Sequence, residues 1–482
     1  MASEKPLYLT TTLPYVNDDP HVGFALEIVQ ADSIARLNRL LGREVFFNFG
    51  VDEHGQKILK KAESGGREVG EYVDFYAKRF EKLKDTLNLS YDNFIRTTEA
   101  SHIEAAQEMW KRADQRGDIY KKKYQGLYCV GCEMYVKEND LVDGKCPNHP
   151  NSTPEVISED NYFFRFSKYE KELIEYLEKD SILPVWRKEE ALKFVKSGLE
   201  DFSISREKSR MSWGIPVPND DSQVMYVWFD ALTNYISTLG WPGDIEGKFQ
   251  KFWQDGETIQ FAGKDQVRFQ SLIWQAMLIS AEVRNTDKIF YHGFITSGGQ
   301  KMSKSVGNVI SPIDLVERYP SARSDGTDAL RYYLLRHIHP TEDSDITDEK
   351  FVDAYNGNLS NGLGNLVSRI MKMAEDNLSS APEISDNTIS DEFKSALQDF
   401  NFNVAMDIIW KEIGELDSKI QETEPFKLIK EDKESAIEII KELIIRLYSV
   451  GNMLEPLMPE TSAKIKEAIS ANQKPENLFP RI

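Results

Sequence analysis

Cysteine is almost missing, with three among 482 residues. So few thiols cannot build a disulfide scaffold, and they fit a reducing, cytoplasmic setting. Long apolar runs are missing too: no stretch reaches the roughly 18 uncharged apolar residues that a spanning helix needs, so no membrane association is expected. The N-terminus, MASEKPLYLT, carries Glu4 and has no apolar signal-peptide core. Positive charge is in short supply, since 59 Lys and Arg stand against 79 Asp and Glu, a net charge of −20. That balance argues against a strongly basic, phosphate-seeking surface. What is present excludes disorder: apolar residues make up 40% and aromatic residues 11% of the chain. The length suggests about three domains.

Residues 7–13 (LYLTTTL) predict a buried strand, stopped by Pro14, and the loop YVNDDP follows. From Gly23 the period changes. Phe24, Ile28, Ala31, Ala35 and Leu41 recur at helical spacing, and Gly42 supplies a stop. EVFFNFG (44–50) predicts a second strand. Strand, loop, helix and strand make a βαβ unit, the seed of an α/β parallel sheet. Residues 116–215 hold every cysteine, among Lys, Gly and Pro, and suggest a small insert. The runs 224–230 (VMYVWFD) and 288–296 (KIFYHGFIT) predict that the sheet resumes. From about residue 351 the periodicity is helical.

Cys129-Val-Gly-Cys132 is followed by Cys146-Pro-Asn-His149. Two such pairs on separate turns can offer four tetrahedral ligands to one Zn²⁺, and four protein ligands make a closed, structural site. Two further signatures suit a nucleotide. Pro20-His21-Val22-Gly23-Phe24 falls where a loop enters a helix, whose free N–H groups attract phosphate. Gly23 permits close approach of a base or ribose. Lys301-Met302-Ser303-Lys304-Ser305, behind Gly298-Gly299-Gln300, can clamp a triphosphate and stabilise charge on departing pyrophosphate.

The pair resembles the HIGH and KMSKS signatures of class I aminoacyl-tRNA synthetases. Over essentially the whole chain the sequence is most similar to the methionyl-tRNA synthetase family. The carrying segments are LPYVNDDPHVGF, GVDEHG (50–55), the CxxC…CxxH insert, DFSISR (201–206), YVWFDALTNY (226–235), FAGKD (261–265) and LSNGLGNLVSR (359–369). The insert is too short for the large editing domain of the Ile, Val and Leu enzymes. The resemblance implies a Rossmann-like parallel-sheet catalytic domain in two halves, 1–115 and 216–295, around a zinc-binding insert at 116–215. A KMSKS-bearing stem-contact region (296–350) and a helical anticodon-binding bundle (351–482) follow.

The resemblance also implies roles. Leu13, Tyr15, Asp52, Trp228 and Tyr235 would line the methionine pocket, with Asp52 on the ammonium and Arg206 on the carboxylate. A flexible thioether suits an aromatic slot, although aromatic residues in apolar segments also serve as packing. His21, Gly23, Glu27, Gly263, Lys264 and Asp265 would bind ATP, and Lys301 and Lys304 its phosphates, with Mg²⁺ accompanying ATP. Asn365 and Arg369, four apart on one helix face, would read the anticodon of tRNA(Met) with Phe426 stacking on a base; a cap, a surface charge and a helix-start contact are their plain alternatives. The reaction expected is attack of methionine carboxylate on the α-phosphate, then transfer to the tRNA 3′-terminal adenosine.

Three positions depart from the family pattern. Phe24 replaces the last histidine of HIGH, Gln270 stands where a pocket histidine is common, and Phe426 replaces tryptophan. Gln270 keeps hydrogen bonding but cannot become cationic. Alternatives are another class I synthetase or a non-catalytic tRNA-binding paralogue. The chain ends at LFPRI behind the helical region, so a monomer is expected. Net charge is −4 over 1–115, −1 over 116–215, −6 over 216–350 and −9 over 351–482. RNA binding must therefore rest on local patches, such as Lys121-Lys122-Lys123, and on stacking.

Overall fold

The computed structural model describes residues 4–130, 134–136, 138–147, 153–302, 307–318, 326–384 and 389–482. Two compact units divide the chain: Met1–Asp19, Glu44–Lys82 and Tyr91–Tyr291 in the first, and Pro20–Arg43, Leu83–Ser90 and His292–Ile482 in the second.

In chain order, β1 (Leu7–Thr11) is followed by α1 (Val22–Leu40) and β2 (Val45–Val51). β3 (Asn93–Arg96), β4 (Ile182–Leu183), β5 (Glu257–Gly263) and β6 (Lys288–His292) complete a sheet of order β3-β2-β1-β5-β6-β4. The β1–β2, β2–β3, β1–β5 and β4–β6 pairs are parallel. Every residue of β1 is buried, as a parallel strand covered on both faces requires. Trp253 meets Tyr8 edge-on at 6.0 Å, and Trp274 meets Tyr235 at 5.6 Å.

The 224–230 run does not extend this sheet. Its first residues end an antiparallel strand, Asp220–Met225, paired with Ser205–Glu207, and Val227–Ala231 is a short helix. A short segment buried on nearly all sides reads alike as strand or helix, so periodicity cannot decide it. The sheet resumes at β5 instead. Residues 116–215 carry an antiparallel sheet of Met134–Val136, Ile119–Cys129, Glu155–Phe164 and Phe202–Ser203, yet they also send β4 to the edge of the parallel sheet.

The second unit is mainly helical. α1 is followed by α2 (Gly326–Arg336), α3 (Asn365–Asn377), α4 (Phe402–Thr423), α5 (Lys433–Leu454) and α6 (Pro459–Ala471). Ile440, Leu443, Ile444, Leu447 and Val450 form the buried stripe of α5. α1 is fixed by a buried ion pair, Arg331 Nη1 to Asp32 Oδ2 at 2.8 Å, with both side chains 0% exposed. Arg331 also donates to the carbonyls of Leu457 and Leu87 at 2.8 and 3.0 Å. Among the described residues no helix is long and apolar enough to cross a membrane.

Candidate functional site

The strand order of the first unit reverses at β1, whose neighbours are β2 and β5. Ligands of open α/β sheets bind beyond the carboxyl ends of strands at such a switch point. Leu13 and Tyr15 lie beyond β1, Asp52 beyond β2, and Gly263, Lys264 and Asp265 at the end of β5. The backbone ties the first three together. Asp52 N–H donates to Pro14 O at 2.9 Å, and Val16 N–H to Asp52 O at 3.1 Å. Asp52 and Leu13 are buried, Tyr15 is half-buried, and Lys264 opens a 3-10 turn.

The loop after β2 is anchored at Asp52, Glu53 and His54. Glu53 N–H donates to Thr97 Oγ1 at 2.9 Å, and Trp213 Nε1 donates to Glu53 O at 2.6 Å. The Glu53 carboxylate accepts from Arg96 Nε at 2.8 Å. Gly55 has φ of +117°, a conformation that favours glycine. His54 Nδ1 lies 2.8 Å from Asp230 Oδ2, and His102 Nε2 lies 2.7 Å from Asp230 Oδ1. Burial opposes ionisation of Asp230, but the two imidazoles outweigh it and hold the carboxyl below its usual range.

Tyr235, Gln270 and Trp228 form an aromatic wall with a polar rim. The Gln270 amide donates to the Tyr235 hydroxyl, and the Tyr235 carbonyl accepts from Tyr8 Oη at 2.8 Å. Trp228 stacks on Phe269 with centroids 3.8 Å apart and 19° between planes. Trp228 Nε1 and Gln270 Oε1 are buried without a hydrogen-bond partner among the described residues. Arg206 is buried, with Nη1 donating to Ser203 Oγ at 2.8 Å and to Ser205 O at 2.7 Å. Its guanidinium lies 4.5 Å from the Tyr226 ring centroid and lines a cavity of about 510 Å³ with Arg268 and Phe269. That cavity is not lined by Asp52, Trp228, Tyr235 or Gln270.

In the second unit, His21 is the N-cap of α1, and its Nδ1 accepts from Gly23 N–H at 3.1 Å. A neutral ring accepting at Nδ1 carries its proton on Nε2, a donor suited to phosphate. A Cβ at Gly23 would come within 2.8 Å of that ring, so close capping requires glycine here. Glu27 is buried, with Oε2 2.9 Å from His292 Nε2. Lys301 is exposed on a hairpin that turns through Gly298 and Gly299. Asp345 Oδ1 secures that turn by accepting from Gly299 N–H at 2.7 Å, and this bond leads the lowering of its pKa. Ser303, Lys304 and Ser305 lie outside the described residues.

Arg369 and Phe426 line one cavity of about 510 Å³ in the helical region, with Lys372 and Asn377. Phe426 is 48% exposed. Arg369 pairs with Asp417, and Asn365 is exposed one turn earlier on α3. Of the zinc set, Cys129 and Cys146 are 0% and 2% exposed. Cys132 and His149 lie outside the described residues, and no group of three metal-capable side chains occurs among those described.

Sequence reasoning passed over His54, His102, Asp230, Phe269 and His292. His54 and Asp230 sit inside the motifs GVDEHG and YVWFDALTNY, and Phe269 directly precedes Gln270.

The family model for class I tRNA synthetases (M) matches residues 7–153 and 149–371. A methionine–tRNA ligase of Fusobacterium nucleatum is 38% identical over 98% of this chain and 76% of its own length. One from a Nostoc species is 37% identical over 97% of this chain and 90% of its own. The solved structure of Mycobacterium tuberculosis methionyl-tRNA synthetase in complex with methionyl-adenylate has a TM-score of 0.89 at 34% identity, covering 99% of this chain and 100% of that one.

Proposed function

The chain belongs to the methionine branch of the class I tRNA synthetases, and on that premise we propose how its own residues carry out the family's reaction. The activity is ligation of methionine to tRNA(Met) at the expense of ATP. Methionine carboxylate attacks the α-phosphate, pyrophosphate leaves, and a hydroxyl of the 3′-terminal adenosine then takes the methionyl group from the adenylate. No side chain need act as nucleophile; positioning and electrostatics supply the rate.

Asp52 holds the substrate ammonium, Arg206 its carboxylate, and Leu13, Tyr15, Trp228, Tyr235 and Gln270 its side chain. Gly263, Lys264 and Asp265 contact the nucleotide. His21, Gly23 and Glu27 bind ATP, and Lys301 and Lys304 neutralise its phosphates with Mg²⁺. For Glu27, the bond to His292 supports a fixed acceptor rather than a mobile one. The observation that carries the reading is the pairing of Tyr235 with Gln270 beside the Trp228–Phe269 stack, where Trp228 Nε1 and Gln270 Oε1 have no partner among the described residues.

Asn365, Arg369 and Phe426 read the anticodon; the shared cavity of Arg369 and Phe426 and the exposed ring support this role. Cys129, Cys132, Cys146 and His149 hold one structural zinc. The burial of Cys129 and Cys146 fits a soft, closed donor set, and bound zinc would supply folding stability there. ATP and tRNA as substrates fit a cytoplasmic enzyme. Charging of a tRNA(Met) transcript with methionine tests the reading; failure to charge it with the chain's own substrates present would overturn it.

A further inference from the structure

Asp230 has no part in the roles given above, yet it is among the most completely engaged carboxylates of the first unit. It is 0% exposed, and each of its oxygens meets one imidazole, His54 Nδ1 at 2.8 Å and His102 Nε2 at 2.7 Å. His102 comes from the helix Ala100–Gln115, and its Nδ1 lies 2.9 Å from Ser237 Oγ. His54 is two residues beyond Asp52, and its own N–H donates to Asp52 Oδ1 at 3.4 Å. Asp230 is two residues beyond Trp228 and five before Tyr235. One buried carboxylate therefore joins the loop that carries the ammonium partner to the segment that carries the aromatic wall.

We propose that Asp230 is a positioning residue for amino-acid recognition, which it performs by clamping His54 and so fixing Asp52 relative to Trp228 and Tyr235. The inference rests on the reading of Asp52 as the ammonium partner. A buried ionic cluster is a poor way to gain stability, since apolar residues of equal volume do as well or better. What it supplies is one allowed geometry. Trp213 adds to this from another side: its ring lies 5.6 Å from that of His54, and its Nε1 holds Glu53 O. The loop is thus pinned at both residues that follow Asp52. The clamp joins residues read as holding the amino acid, none of them read as holding ATP.

The test measures KM for methionine and for ATP separately, by pyrophosphate exchange, in the full chain. Asp230→Asn replaces one accepting oxygen by an amide that only donates, so one imidazole bond is lost. The KM for methionine should rise about tenfold, the change that goes with about 1.4 kcal/mol, while the KM for ATP stays within about twofold. His54→Ala should behave alike, and His54→Asn, which keeps a donor near the Nδ1 position, should recover most of the loss. A role confined to folding would not separate the two KM values or be rescued this way. If Asp230→Asn does not fold, the two His54 variants decide. Unchanged methionine KM in His54→Ala, or equal rises in both KM values, would overturn the proposal. An unsubstituted chain that shows no methionine-dependent exchange would instead overturn the functional reading beneath it.

Discussion

The ring of Phe24 lies stacked on the imidazole of His21, with centroids 4.3 Å apart and 26° between planes. The opposite constraint on His21 is the N–H of Gly23 at Nδ1. Phe24 thus braces the first histidine of the signature in place of adding a second donor. Phe24→Ala removes an aromatic contact worth about 0.5–1.5 kcal/mol and should raise the KM for ATP by roughly two- to tenfold. Phe24→His restores a donor and should lower it. Steady-state kinetics with varied ATP checks both; no change in either variant would remove this position from nucleotide binding.

The Asp32–Arg331 pair makes a prediction about stability. Arg331→Met leaves a buried carboxylate without its main partner and should cost about 3–5 kcal/mol, read from denaturant unfolding. Burial opposes the charge on Asp32, but Arg331, Arg36 and Ser90 prevail and hold its pKa below the ordinary value. A lowered folded value means that the contribution is complete above the unfolded carboxyl pKa of about 4. It is lost as pH falls through the lower folded value. Asp230 adds in the same direction. The unfolding midpoint should therefore drop below about pH 4, and Arg331→Met should show less of that drop. A midpoint with the same pH dependence in both proteins would contradict the assignment.

Phe426 is half-exposed, and on the proposed anticodon reading a base would stack on its ring. Phe426→Ala should weaken tRNA binding by about 1–3 kcal/mol and leave methionine-dependent pyrophosphate exchange unchanged, whereas Phe426→Trp should tighten it. The region 351–482 has a net charge of −9, so the slope of log affinity against log salt should be shallow. Filter binding across a salt series measures both effects. A steep slope would show that the lysine clusters carry more of the affinity.

Metal analysis of the purified protein should find one zinc per chain. Cys129→Ser or Cys146→Ser should lose it and loosen the 116–215 insert, seen as faster proteolysis there. Full retention of ordered structure after chelation would contradict a structural zinc.

The parts of the fold that sequence made legible are local. The βαβ opening follows from buried strand runs and one amphipathic period, and Gly42 ends the helix with φ of +83° as a stop residue should. The nucleotide signatures and the cysteine pairs are short spacings, visible without tertiary structure. What sequence misjudged is the run 224–230, where near-complete burial erases the difference between strand and helix. What it passed over is long-range. His54 and Asp230 are 176 residues apart, and Glu27 and His292 are 265 apart. No periodicity or spacing links such pairs, because the contact is made by sheet and bundle topology.

The most direct test of the account is ATP–pyrophosphate exchange over a panel of the twenty amino acids. Exchange should be strong with methionine and at background with the others, including cysteine and leucine. Exchange with an amino acid other than methionine alone, or none at all, would contradict it.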